Sequence, residues 1–488
     1  MVNAQLPFAS LAALASFNAT AVTDPGLINA TCKAIADAIS PESAVHYFGS
    51  QYDKHMYHWA SSSAEQAVCA FEPTTAHDIG VALRIIGENM CPFAIKGGGH
   101  TMNPGFSSTN GVQIGMSQFL DIQYSPELQT VTVGAGLTWD EVYAALEPHE
   151  VTVVGGRIAG IGVAGFTLGG GYSWLTNQHG LTIDTVQAYE LVLPNGAIVN
   201  VTESSYPDLF FALKGGYNNF GVVTRFTFKT FPQGQVWGGM IIYGGHVTDQ
   251  VTTATASFSA QSTDPKAQII TVYTYASGQG PMVIQSLFYD GPTPPPGTFD
   301  QFLAIPHFMQ DIGTRSFLSL VKSMPSDPTA NLRGIFHTTS VTGYSEELLR
   351  AIADEVIAQG RALAPSSGEM FSFAVSPFLP TIFTHNTSPT AYPGSRDRGV
   401  FPLNFYIGWA SPSADELMQN ATRTSIERLH NHAIALGQTI DGAPLYSNYA
   451  MFDTALESIY GDNLQRLKLI KQEVDPSNVM GLAGGFKF

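Results

Sequence analysis

The sequence is short of charge. Only 12% of its 488 residues are Asp, Glu, Lys or Arg, against a usual share of about 25%. The balance is acidic, 22 Lys and Arg against 39 Asp and Glu, for a net −17. No basic run or stripe interrupts it, so the electrostatic footprint of a nucleic-acid binder is missing. Long apolar runs are missing too. None approaches the ~18 residues of a membrane-spanning helix, so no membrane partner is expected. Cysteine is scarce: Cys32, Cys69 and Cys91, with none beyond. An odd number allows at most one intrachain disulfide and leaves a thiol over; three reduced, buried cysteines are the alternative. There is no G-x-x-x-x-G-K-[ST] and no G-x-S-x-G. The His-Glu pair at His149 lacks the second histidine of H-E-x-x-H. His430 and His432 are two apart on a predicted helix and do not share a face. No metal site is expected.

Glycine, by contrast, is plentiful, at 48 residues. The chain is too long for one ordinary core, which implies two domains or one domain with a large insertion. Residues 1–26 are mildly apolar, rich in Ala and Ser, and carry no basic residue in front. A weak secretory signal, a start left by signal removal and an ordered arm all fit that stretch. Sequons at Asn18, Asn29, Asn200, Asn386 and Asn420 favour an extracellular, glycosylated protein.

Periodicity places the elements. Ile28, Cys32, Ile35 and Ile39 share a helical face, as do Ile79, Leu83, Ile86 and Met90. "FAI" at 93–95, "GVQIGM" and "TVTVGAG" read as strands. "LTWDEVYAAL" is a short helix with Thr138 at its N-cap and Glu141 three residues on. "AYELVLPNGAIVNVT" is a hairpin turned by Pro194-Asn195-Gly196. After Pro232 the character changes to long alternating strands, "AQIITVYTYA" and "GPMVIQSLFYD", a Pro-rich turn "GPTPPPGTF", and interspersed helices. "DNLQRLKLIKQEVDPSNV" is an amphipathic helix capped by Asp462 and stopped by Pro476.

Gly160-Ile161-Gly162-Val163-Ala164-Gly165 matches the dinucleotide fingerprint G-x-G-x-x-G, which requires a helix to open there. "FTLGGGYSW" follows instead, and each glycine would cost a helix about 1 kcal/mol. A glycine turn in an unrelated fold is expected. Glycine loops recur at 97–99, 134–136, 155–171 and 215–221. Such loops at strand ends aim backbone N–H groups at an extended polyanion, which fits a dinucleotide held outside a Rossmann cradle.

The ordered motifs "CPFAIKGGGH", "TVTVGAGLTWDEVYAAL", "GGRIAGIGVAGFTLGGGYSWL", "DLFFALKGGYNNFGVVT" and "YSNY" closely resemble those of the berberine-bridge-enzyme-like FAD-linked oxidoreductases. These belong to the vanillyl-alcohol-oxidase, or PCMH-type, flavoproteins, and this chain resembles the fungal members. The strong motifs cover about 70–230 and 440–480; "TAYPGSRDR" and Trp409 match only loosely. The resemblance implies an α+β fold: a two-part PCMH-type FAD-binding domain with an inserted α/β substrate-binding domain. Its divisions would be an N-terminal arm and helix (1–64), the FAD-binding domain (65–230), the substrate-binding domain (231–440), and a segment (441–488) returning to the FAD domain.

The resemblance also implies residue roles. The loop Lys96-Gly97-Gly98-Gly99-His100 would hold the FAD pyrophosphate, with His100 bonded to the flavin 8α-methyl. Many members add a cysteinyl bond, but that position here is Ile158, so FAD would be monocovalent. Thr101, Gly105, Gly134, Gly156, Gly162, Gly165 and Gly170 are further implied cofactor contacts, with Gly221 and Val223 at the adenine end and Asn448 near the ring. Ile161 occupies the oxygen-gating position and leaves oxidase and dehydrogenase both open. Tyr446 and Tyr172 are the implied catalytic residues, with Arg157 or Lys96 as a cation that could ionise a tyrosine. Cys32 and Cys91 are the implied disulfide. The implied activity is hydride transfer from an alcohol, sugar or secondary metabolite to flavin N5, with oxygen or another acceptor as second partner, in a monomer. A flavoprotein cyclase or tailoring enzyme of natural-product biosynthesis is the alternative.

Overall fold

The computed structural model describes residues 24–324 and 329–488. The leader reading of the N-terminus and the Asn18 sequon lie outside them. Asn29, Asn200 and Asn420 are exposed, and Asn386 is half-buried.

The first sheet contains β1 (Ala44–His46), β2 (Cys69–Glu72), β3 (Phe93–Lys96) and β4 (Val112–Gly115) in the order β1-β2-β4-β3. β4 runs parallel to both its neighbours. Helices Pro25–Ala38 and Ala76–Glu88 bury the apolar faces expected of them: Ile28, Cys32 and Ile35 on one, Ile79, Leu83 and Ile86 on the other. Asp24 caps the first through Gly26 N and Thr75 caps the second through Asp78 N, the usual way to satisfy orphan N–H groups.

Next come β5 (Ile122–Ser125), β6 (Thr130–Gly134), β7 (Val151–Thr152), β8 (Val186–Val192), β9 (Ile198–Thr202), β10 (Val222–Lys229) and β11 (Phe231–Pro232). Five form a second sheet, β5-β6-β10-β8-β9, antiparallel throughout; β7 pairs with β11 alone. The β8–β9 hairpin turns at Pro194-Asn195-Gly196, where Gly196 adopts φ 84° and Asn195 accepts Ala197 N at 3.0 Å. Glu141 accepts the Thr138 N–H at 2.8 Å at the start of helix Trp139–Leu146.

The third sheet has seven strands: β12 (Val236–Gly244), β13 (Ala267–Ala276), β14 (Gly280–Tyr289), β15 (Met309–Arg315), β16 (Arg333–Val341), β17 (Gly368–Val375) and β18 (Phe401–Trp409). Its order is β15-β12-β14-β13-β17-β18-β16. Helices Thr248–Gln261, Glu346–Leu363 and Asp415–Ala435 pack together and against the sheet. Alternation sends Phe373 and Phe405 to one face, where their rings stack at 4.1 Å, and Asn404 and Tyr406 to the other. β18 is buried along its whole length, as a strand covered on both faces must be.

The chain's end returns to its beginning. Ala483 bridges Phe93 in parallel, and Asn219 Nδ2 donates to Phe486 O at 2.8 Å. A strap at 59–63 joins the first sheet's loops to β16: Ser61 N donates to Leu332 O, and Ser62 Oγ exchanges bonds with Gly334.

Three expectations are corrected. Cys32 is bonded to Cys69, not Cys91, with Cα atoms 6.3 Å apart; Cys91 is a buried free thiol. β4 separates Cys69's strand from β3, the strand that Cys91 precedes. Successive helical residues turn by about 100°, so when Cys32 meets β2, it is Thr31 that faces Cys91. That hydroxyl's hydrogen bond only partly offsets burial, and the thiol is pushed up to about 11. Second, a short helix, Val163–Leu168, does open inside the glycine-rich segment. It spans six residues, carries only Gly165 inside it, and ends at the run 169–171, so that run bounds the helix rather than interrupts it. Third, Asp462 precedes helix Asn463–Val474, but its backbone is already helical and its side chain caps nothing.

Candidate functional site

β3 delivers the chain into Gly97-Gly98-Gly99-His100 beside the segment 161–163. There is no room for side chains between them. A Cβ on Gly98 would lie 2.7 Å from Gly162 Cα, and one on Gly162 2.7 Å from Gly98 N. Gly99 takes φ 68°, a conformation that costs a side chain dearly. Its carbonyl accepts Trp59 N at 3.0 Å. Trp139 N donates to Ile161 O and Val163 N to Leu137 O, which locks the 161–163 segment to the loop after β6. Gly165 faces open space.

His100 ends this cradle. Its ring stacks on Trp59, centroids 4.6 Å apart and 19° between planes. Its Nε2 is buried and has no hydrogen-bond partner among the described residues. Burial pushes the imidazole down to about 4, so the ring is neutral at pH 7. A buried polar atom without a partner is rare in a folded protein and calls for an explanation.

Lys96, adjoining the loop, turns away. Its Nζ donates to Lys54 O at 2.8 Å, and burial lowers it to about 8, with Lys54 adding to the effect. It is not beside any of the candidate tyrosines. Thr101 O accepts Ser63 Oγ at 2.8 Å. Gly105 takes φ 73°, and its carbonyl crowds Gly484. Four of the glycines singled out from sequence lie against protein. Gly134 abuts the Phe119 carbonyl, Gly156 the Trp139 ring, Gly170 the Tyr392 and Tyr446 rings, and Gly221 the Val192 carbonyl. Val223 is buried in the second sheet. Close packing requires glycine at these four positions; Gly97–Gly99, Gly162 and Gly165 border the cradle.

The tyrosines form a connected group. Tyr446 Oη accepts Gly171 N at 3.1 Å and Asn448 Nδ2 at 2.8 Å. Its own O–H has no protein acceptor among the described residues. Tyr172 meets Tyr446 edge-on at 4.8 Å, and its hydroxyl bonds that of Tyr392 at 3.2 Å. Burial drives both Tyr446 and Tyr172 well above the ordinary phenol value; the hydrogen bonds to each offset only part of it. Both are neutral phenols at physiological pH. Asn448 also donates to Phe166 O and accepts Tyr217 Oη at 2.7 Å. Asn448 thereby joins the helix Val163–Leu168 to the tyrosines.

Of the two cations considered from sequence, Arg157 is the one present. Its Nη2 lies 3.4 Å from Tyr449 Oη and its Nη1 3.0 Å from Ser376 Oγ. Trp59, Tyr392 and Tyr449 were not foreseen as site residues. Tyr449 stands in the quoted "YSNY", and Tyr392 in "TAYPGSRDR". Trp59 carries no motif, and only its fold position brings it to His100.

Residues 67–202 match the family description "FAD binding domain", and 445–483 match "Berberine and berberine like". An FAD-dependent monooxygenase of Aspergillus calidoustus is 32% identical over 475 residues, covering 93% of this chain and 88% of that protein. The chain belongs to the berberine-bridge-like FAD-linked oxidoreductases. An FAD-linked oxidoreductase of Arthroderma benhamiae is 40% identical over 386 residues, 75% of each chain. The same fold occurs in the carbohydrate oxidase of Microdochium nivale, at TM-score 0.75 and 17% identity over 93% of this chain and 98% of that one. As a member of this family the protein is an enzyme that uses FAD. The cradle suits that cofactor: close-set backbone for a pyrophosphate, then a neutral imidazole with an unused nitrogen.

Proposed function

We propose that this enzyme holds FAD through one covalent bond to His100 and oxidises a small organic donor beside Tyr446. The observation that carries this reading is the buried, unpartnered Nε2 of a neutral His100 at the end of the glycine loop. FAD supplies the two-electron chemistry; the protein supplies binding, orientation and proton handling. Gly97–Gly99 and Gly162 let main chain approach the pyrophosphate. Trp59 fixes the plane of the His100 ring. No second cysteinyl tether can form, because no cysteine follows Cys91. Residues 65–230 with 441–488 would make the cofactor domain and 231–440 the substrate domain.

Tyr446 holds its proton at Oη and directs it away from Gly171 and Asn448, since two N–H donors occupy the oxygen's acceptor side. Those donors would also stabilise charge on Oη while a proton is moving. Tyr172 and Tyr392 extend the hydroxyl chain behind it.

Acid precipitation of the holoenzyme tests the tether. The flavin colour should stay in the pellet for the native protein and pass to the supernatant for His100→Ala. A colourless native pellet overturns the covalent bond. A second reading, oxygen insertion into a secondary metabolite, draws on relatives described as FAD-dependent monooxygenases in Aspergillus calidoustus and Fusarium proliferatum. Turnover under labelled oxygen separates the two. Label in the product marks insertion, and label only in reduced oxygen marks plain oxidation.

A further inference from the structure

Arg157 stands apart from the other arginines. Arg225, Arg333 and Arg396, for example, each meet a carboxylate at 2.7 Å or less. Among the described residues, the arginines without one besides Arg157 are Arg84, Arg361 and Arg398, and all three are exposed to water. Arg157 is half-buried. Its partners are the Ser376 and Tyr449 hydroxyls, with the Trp174 and Phe378 rings 6.0 and 5.7 Å from the guanidinium carbon. A guanidinium has five N–H donors, and two of these meet acceptors among the described residues. Removing a cation from water without a counter-charge is costly.

A second unsatisfied group lies beside it. Tyr344 Oη is buried near the Ser376 main chain, within the electrostatic reach of Arg157, and has no partner at hydrogen-bonding geometry among the described residues. The surrounding walls are aromatic. Tyr449 meets Tyr446 at 4.8 Å and Phe336 at 5.7 Å, and Tyr172 meets Phe378 at 5.3 Å.

We propose that Arg157 and Tyr344 recognise an anionic oxygen on an aromatic substrate, a carboxylate or an acidic, ionised phenol, and place the rest of the ring system against Tyr449 and Tyr446. Arg157 is then a specificity-determining residue. The planar fork suits a two-point contact with a carboxylate, while a phenolate accepts from one arm and from Tyr344. This assignment rests on the proposal that the donor is oxidised beside Tyr446.

Naphthalene probes test it on the purified holoenzyme. Binding of 2-naphthoate and of neutral 2-naphthamide is followed by the probes' own fluorescence, and binding of ionised 2,4-dinitro-1-naphthol by its absorbance. The native protein should bind at least one anion roughly tenfold or more tighter than the amide, the scale of a charge-assisted bond. Which anion is preferred tells carboxylate from phenolate. Arg157→Gln should abolish the preference while leaving amide binding unchanged, and Tyr344→Phe should weaken it. No anion preference in the native protein, or an undiminished one in Arg157→Gln, overturns the proposal. If Arg157→Gln does not fold, Arg157→Lys decides: a reduced preference supports the assignment and an unchanged one overturns it. Repeating the titration on His100→Ala keeps the two readings apart, because loss of the tether would leave the anion preference intact.

Discussion

Tyr446 and Gly171 are joined by a 3.1 Å hydrogen bond across 275 residues of sequence. It fastens the C-terminal segment to the glycine run after the helix Val163–Leu168. Asn448 Nδ2 adds a second donor to the same oxygen. Tyr446→Phe strands both N–H groups in a buried site. Leaving buried donors unpaired costs about 1–3 kcal/mol, and denaturant unfolding should record a loss in that range. Flavin should stay bound while its reduction by any competent donor slows, measured by anaerobic bleaching.

Cys32 and Cys69 form a bridge between the first helix and β2. Removing a native disulfide typically costs about 2–5 kcal/mol, so Cys32→Ser should melt well below the native protein. Peptide mass mapping without reduction should find Cys32 linked to Cys69. Cys91 should react with alkylating agents only after unfolding.

Glu72 should govern part of the acid sensitivity. Burial alone would raise its carboxyl. Hydrogen bonds from Ser117, Gln118 and His46, with His55 nearby, outweigh that and hold it at about 2. The folded value lies below the unfolded one. Its contribution is therefore complete above the ordinary carboxyl range and is lost as pH falls through that range to about 2. Unfolding free energies measured between neutrality and pH 3 should decline less steeply for Glu72→Gln.

Asp184 is buried and paired with Arg396 at 2.7 Å; the same carboxylate accepts Leu181 N at 2.9 Å. Breaking a buried ion pair from one side costs about 3–5 kcal/mol. Asp184→Ala should destabilise by that order in urea. Restoring the charge balance with Arg396→Met should recover part of the loss.

Local pattern made much of the architecture readable. The helix face at Ile79, Leu83 and Ile86, the capping of Trp139 by Thr138 and Glu141, and the Asn195-Gly196 hairpin all depend on neighbours in sequence. Cys69 as the partner of Cys32 was not readable, because strand order within the first sheet decides it. The site divided along the same line. His100 stood out as a histidine after a glycine run. Trp59 did not, because its place depends on the strap that bonds to β16. At Gly134 and Gly221 a side chain would strike the Phe119 and Val192 carbonyls, a packing requirement that only coordinates reveal.

Trp59 is bonded on both sides. Its N–H goes to Gly99 O in the cradle, and its carbonyl receives Asn331 N beside β16. One residue thus ties the loop carrying His100 to the edge of the seven-stranded sheet. Coupling carried through Trp59 between a ligand in the cradle and the attachment of that sheet is reciprocal, each strengthening the other by the same free energy. Loading with cofactor should make the far sheet harder to unfold, visible as slower amide exchange along β16.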